Sequence, residues 1–132
     1  MSKPGPSGYA LNRTRRQFLA TRLAVADTHW SRFCGLMGKP PGEFGDGHAL
    51  WITPCRGVHT WGMRFPIDVA YLNTDHVIVH LETGLRPWRF APIRLKATSV
   101  LELPEHTLKS TGTTIGDELE IHPNRSGDDQ PA

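Results

Sequence analysis

The sequence is short of most features that assign a chain by composition. Two cysteines, Cys34 and Cys55, in 132 residues do not make a disulfide framework, and they fit thiols kept reduced in a cytoplasm. Charge is almost balanced, with 15 Lys and Arg against 13 Asp and Glu and a net of +2. That is no electrostatic footprint for nucleic acid, which asks for a clustered basic face. No stretch approaches the ~20 apolar residues of a membrane span. Thr14 to Ala20 has the look of a twin-arginine export motif, but the uncharged apolar stretch that should follow is interrupted by Arg22 and Asp27. These absences point to a cytoplasmic protein with neither a membrane nor a nucleic-acid partner. The basic residues do gather twice, at Arg13, Arg15, Arg16 and Arg22 and at Arg86, Arg89, Arg94 and Lys96. Both groups read as solvated surface.

Glycine and proline are plentiful, 13 and 11, and most lie between the periodic segments. That favours many short strands joined by turns over long helices. The length suits one domain with a sizeable core. Residues 1–10 and 126–132 offer little to bury and read as disordered flanks, leaving a single domain over 11–125. Strands are expected at Phe18–Ala26, Ala49–Thr53, Ile67–Leu72, Val77–Glu82, Ser99–Leu103 and Leu119–His122, with Thr83–Pro92 as a loop. Asp27 or Thr28 can cap a short helix over His29–Met37, which Gly38 and Pro40-Pro41 end. The pattern predicts a mainly β protein: an antiparallel sandwich or barrel with one short helix near the N-terminus.

Chemistry concentrates in Pro54–Leu72. Cys55 and His59, four apart, could share a zinc ion or pair as nucleophile and base. Zinc wants four ligands, or three and a water, and the nearest others, His48, Cys34 and Asp68, follow no recognised spacing. No metal is therefore expected, and no cofactor is indicated. The plainer reading is a buried thiol and a histidine bonded to loop backbone. Asp68 sits inside an apolar strand, where a lone carboxylate would cost several kcal/mol. It needs an opening or a partner: Arg64, Arg32 and His59 are candidates, and a structural salt bridge or a backbone clamp is favoured over a ligand-binding or general-base carboxylate. Trp61 and Met63 alternate around Gly62 as if on one strand face, where they could form a soft contact surface or pack into the core. Glu102 lies on the opposite face from Leu101 and Leu103 and reads as solvent-facing or paired with an arginine. Asp117 reads as a turn residue.

Three blocks carry a family resemblance. They are Arg32-Phe33-Cys34-Gly35-Leu36-Met37; the run Cys55 to Leu72 with its Val-His-Thr, Trp-Gly-Met and Ile-Asp-Val; and Val100-Leu101-Glu102-Leu103-Pro104 followed by Gly112-Thr113 and Gly116-Asp117. In order and spacing they resemble the domain of unknown function 192 family, over roughly Leu19 to His122. The resemblance implies a compact β-sandwich of jelly-roll kind with a short helix, and no activity, cofactor or partner. After Leu103-Pro104 that family usually has Ala-Gly. Here Glu105-His106 stand there, and without the glycine a tight positive-φ turn is less strongly expected.

Two functions remain open. One is a small binding or accessory domain that presents a pocket or patch around Trp61, Met63, Arg64 and Asp68 to a small ligand or a protein partner. The other is a metal- or thiol-dependent hydrolase-like enzyme using Cys55, His59 and Asp68. Convergence of those three side chains separates the two.

Overall fold

The structure is a computed structural model that describes residues 8–28 and 36–123. Eight strands are present among these residues: β1 (Gly8–Asn12), β2 (Gln17–Ala20), β3 (Arg22–Ala26), β4 (His48–Ile52), β5 (Ile67–Leu72), β6 (Ile78–Leu85), β7 (Ser99–Pro104) and β8 (Leu119–Pro123). They form a three-stranded sheet, ordered β2-β1-β8, and a five-stranded sheet, ordered β3-β4-β7-β5-β6. The expected mainly β class is what the chain adopts.

Several expectations need correction. The segment read as one strand over Phe18–Ala26 is two strands in different sheets. The chain breaks at Thr21, where the amides of Thr21 and Arg22 both donate to the Gly47 carbonyl, at 2.9 Å each. The large sheet is not wholly antiparallel: β3 pairs in parallel with β4, Arg22 opposite His48 through Ala26 opposite Ile52. A parallel pair needs a long crossover, and residues 27–47 supply it. β1 begins at Gly8, so Gly8, Tyr9 and Ala10, read as part of a disordered flank, are strand residues. β6 runs on to Leu85, three residues into the stretch read as loop.

The helix expected at His29–Met37 falls largely on residues 29–35, outside the described residues. Leu36–Gly38 form a turn. The α-helix that is described spans Thr107–Thr111, toward the other end of the chain. Periodicity could not find it, because five residues are too few to show a 3.6-residue repeat.

β5 and β7 are buried along their whole lengths, which accounts for strands apolar on both faces. Alternation sends Ala70, Leu72, Leu101 and Leu103 to one side, where they pack with Ala10, Leu19, Ala20 and Leu119 of the small sheet and with Leu108. Ile67, Val69, Tyr71 and Val100 point the other way, into a second cluster with Leu36, Phe44, Val58, Met63 and Ala91. One face of the large sheet is thus covered by the small sheet. The other is covered by loops, and those loops carry the Cys55–Met63 chemistry.

Candidate functional site

The covering loops form a two-stranded ribbon outside the main sheet. Residues 56–60 run antiparallel to 89–94, with His59 opposite Phe90. The Thr60 amide donates to Arg89 O at 2.8 Å, the Ala91 amide to Val58 O at 2.8 Å, and the Arg94 amide to Arg56 O at 2.9 Å. Thr60, fully buried, locks the turn at the ribbon's end. Its hydroxyl donates to Arg86 O at 2.5 Å and accepts from the Arg89 amide at 2.8 Å, while the Trp88 amide donates to Thr60 O at 2.9 Å. Tyr71 ties the far side of the ribbon to the sheet, its phenol donating to Pro92 O at 2.7 Å. Burial pushes the Tyr71 pKa well up, so the hydroxyl keeps its proton.

The side chains singled out in the sequence divide among three places. Cys55 is half-buried against the loop-covered core, and its thiol donates to Gly57 O at 2.8 Å. With Pro54, Arg56 and Thr98 it lines a shallow cleft of about 360 Å³. His59 Nδ1 accepts the Trp61 amide at 3.3 Å, and the two rings lie 5.5 Å apart. Trp61 is 44% exposed and meets Phe90 edge-on at 5.0 Å, whereas Met63 is buried in the core and Arg64 is exposed. The expected shared face of Trp61 and Met63 does not form. Gly62 turns the chain at φ +75, and a Cβ there would stand 2.5 Å from Met37 Cγ, so the segment bends where a strand would alternate.

Asp68 is on the opposite face of the large sheet, buried, with both oxygens engaged by backbone: Oδ1 accepts from Gly84 N at 2.9 Å and Oδ2 from Leu108 N at 3.0 Å. Its described partners are amides, not Arg64 or His59; Arg32 lies outside the described residues. Cys55 and His59 thus share a ribbon, while Asp68 sits across a sheet from them. Among the described residues, no grouping of three His, Cys, Asp or Glu side chains could hold a metal ion.

Two sites were missed or misread. Glu102 does face away from Leu101 and Leu103, but it is 2% exposed, and its Oε1 has no hydrogen-bond partner among the described residues. It lies between Leu50 of β4 and Val69 of β5, and burial alone pushes its pKa up to about 8. Burial thus favours the protonated acid here, between two apolar strand neighbours. The second omission is the run of exposed apolar side chains along and just beyond the ribbon's second half. Trp88 is 65% exposed, Phe90 69%, Ile93 71% and Leu95 81%. The signal was present in the sequence: residues 85–96, LRPWRFAPIRLK, contain only apolar and basic side chains.

Comparison with known proteins finds a family, two archaeal relatives and a similar solved structure. The family model DUF192, described as an uncharacterised ACR, matches residues 10–121. The chain belongs to this family. A UPF0127 protein of Thermococcus sibiricus is 30% identical over 128 residues, covering 92% of this chain and 80% of that one. A UPF0127 protein of Pyrococcus furiosus is 31% identical over 115 residues, covering 83% and 95%. Among solved structures, a protein of unknown function from Novosphingobium aromaticivorans superposes with a TM-score of 0.75 at 20% identity, over 86% of this chain and 83% of that one. At that identity the likeness concerns the fold.

The departure from the family's Ala-Gly is visible in the geometry. His106 takes φ +80, the left-handed conformation that a glycine would favour. A positive-φ residue thus stands there although it is not glycine.

Proposed function

We propose that this domain is a binding module whose working face is the ribbon that carries Trp61, Trp88 and Phe90. The observation that supports it is exposure. Most large apolar side chains of the described residues are buried, yet Trp61, Trp88, Phe90, Ile93 and Leu95, all on this ribbon, keep 44 to 81% of their surface in water. A cluster of large exposed apolar groups marks a contact surface in a soluble fold, and tryptophan anchors are common energetic centres of such contacts. The ribbon is pinned by Thr60 and Tyr71, so the surface is preorganised.

The patch replaces the pocket expected around Trp61, Met63, Arg64 and Asp68. Of that set, Trp61 and Arg64 face solvent, Met63 is core and Asp68 is a backbone clamp. The hydrolase alternative has less support, since Asp68 is separated from Cys55 and His59 by the sheet. The same reading takes the two sheets as layers of a sandwich, on the strength of the core they share, and places the domain in the cytoplasm.

A photoreactive phenylalanine analogue at position 90, activated in living cells, tests the proposal, with position 115 as control because Ile115 is a similarly exposed apolar residue elsewhere. Adducts are expected from position 90 and not from 115. Equal labelling from both, or none from either, would overturn the reading.

A further inference from the structure

We infer that the occupant of this ribbon is the surface of an anionic lipid bilayer. The inference rests on the ribbon being a contact face and adds the chemistry of what it contacts.

Backbone pairing is the first consideration. An extended peptide adds to a β-edge through free amides and carbonyls. Here the amides of Thr60, Trp88, Ala91 and Arg94 are all spent within the ribbon. The amides that pair the two halves are thus closed to a partner, and what distinguishes the segment at its surface is its side chains.

Those side chains are of two kinds. Residues 85–96 hold no carboxylate, amide, hydroxyl or imidazole, so the segment's side chains have no acceptor with which to read a directional donor. What it has is Trp88, Phe90, Ile93 and Leu95, each more than half exposed, interleaved with Arg86, Arg89, Arg94 and Lys96, which are exposed as well. Arg94 Nη2 lies 3.4 Å from His80 Nε2, so this cation is partly held against the sheet. The others are not hydrogen-bonded through their side chains to any described residue in a way that would withdraw them from solvent.

A matching occupant takes up aliphatic and aromatic groups, offers negative charge at the same level, and needs no directional hydrogen bonds. An anionic bilayer does all three: Trp settles at the headgroup level, Ile and Leu enter the acyl boundary, and Arg and Lys extend to the phosphates. Single-stranded nucleic acid would use Trp88, Phe90 and the arginines, but leaves Ile93 and Leu95, the two most exposed of the set, without a role. Among the described residues no helix is long and apolar enough to cross a membrane. A peripheral contact needs none.

The test is cosedimentation of the full chain with vesicles of phosphatidylglycerol mixed with phosphatidylcholine, beside vesicles of phosphatidylcholine alone. Binding to the anionic vesicles is expected, weakening with added salt. Ile93→Ala with Leu95→Ala should weaken it about tenfold or more, and Lys96→Gln roughly fivefold, both with unchanged thermal melts because these side chains are exposed. Ile115→Ala should leave it unchanged. No binding to anionic vesicles, equal binding to neutral ones, or indifference to Ile93 and Leu95 would overturn the lipid assignment. So would retention of a single-stranded oligonucleotide, dependent on Trp88, by a protein that ignores vesicles. Failure here with protein adducts from position 90 overturns the lipid alone; failure here with no adducts overturns the contact face as well.

Discussion

Asp68 and Leu108 lie 40 residues apart in sequence, yet the Leu108 amide donates to Asp68 Oδ2 at 3.0 Å. Oδ1 takes the Gly84 amide at 2.9 Å. One buried carboxylate thus ties the end of β6 and the helix Thr107–Thr111 to the central strand β5. Asp68→Asn keeps one acceptor and turns the other into a donor that faces an N–H. A loss of about 1–3 kcal/mol is expected, read as a lower denaturant midpoint with an unchanged slope. A variant as stable as wild type would show that the clamp carries no net energy.

Thr60 plays the corresponding part in the ribbon. Thr60→Val keeps the shape and removes the hydroxyl that serves Arg86 O and the Arg89 amide. The expected cost is about 1–2 kcal/mol. Faster amide hydrogen exchange should appear at Trp88 and Arg89 before it appears in β5 or β7. Uniform loss of protection through the whole domain would place Thr60 in the global core instead.

Glu102 gives the protein a pH dependence of unusual sign for a carboxylate. Its pKa rises from 4.5 to about 8 on burial. Between those values the folded chain holds a proton that the unfolded chain has released, so stability falls as pH rises across that window and levels off above it. Glu102→Gln removes this contribution. The variant should gain on wild type between about pH 5 and about pH 8, in denaturant melts run at both. Parallel behaviour of the two proteins would mean that Glu102 is ionised in the fold or solvated there.

His106 holds φ +80 at the start of the short helix, with its side chain largely exposed. Left-handed backbone disfavours a residue with a Cβ by roughly 1–2 kcal/mol, while glycine gives part of that back through its looser unfolded chain. His106→Gly should therefore stabilise the domain by about 0.5–1 kcal/mol, seen as a higher melting temperature. A lower one would indicate that the imidazole, 3.6 Å from Glu105 Oε1, contributes more than the strain removes.

Much of the sheet was legible in the chain because β-structure writes itself in period two and ends at glycine and proline. β5 and β7 fall where short apolar runs stand, the second bounded by Pro104, and β8 falls after the turn Gly116-Asp117. The clamp role of Asp68 was legible in kind, since a carboxylate in an apolar strand must be engaged. Its partners were not, because Gly84 and Leu108 offer backbone amides, which every residue has. β1 was missed because Gly8-Tyr9-Ala10 lies in a Gly- and Pro-rich flank, and its burial depends on β8, more than a hundred residues away.

By itself the sequence determined the mainly β class, the family, and the identity of the unusual side chains, all of which follow from local pattern and residue type. Only the tertiary structure decided which of them meet. Cys55 and His59 were separated from Asp68 by one strand's alternation, since successive side chains leave opposite faces of a sheet. Glu102 was buried by loops that close over β7 from distant parts of the chain. Trp88, Phe90, Ile93 and Leu95 were left in water while Val58 and Ala91 of the same ribbon went into the core with Tyr71. Burial is a property of the assembled layers, and no single segment contains it.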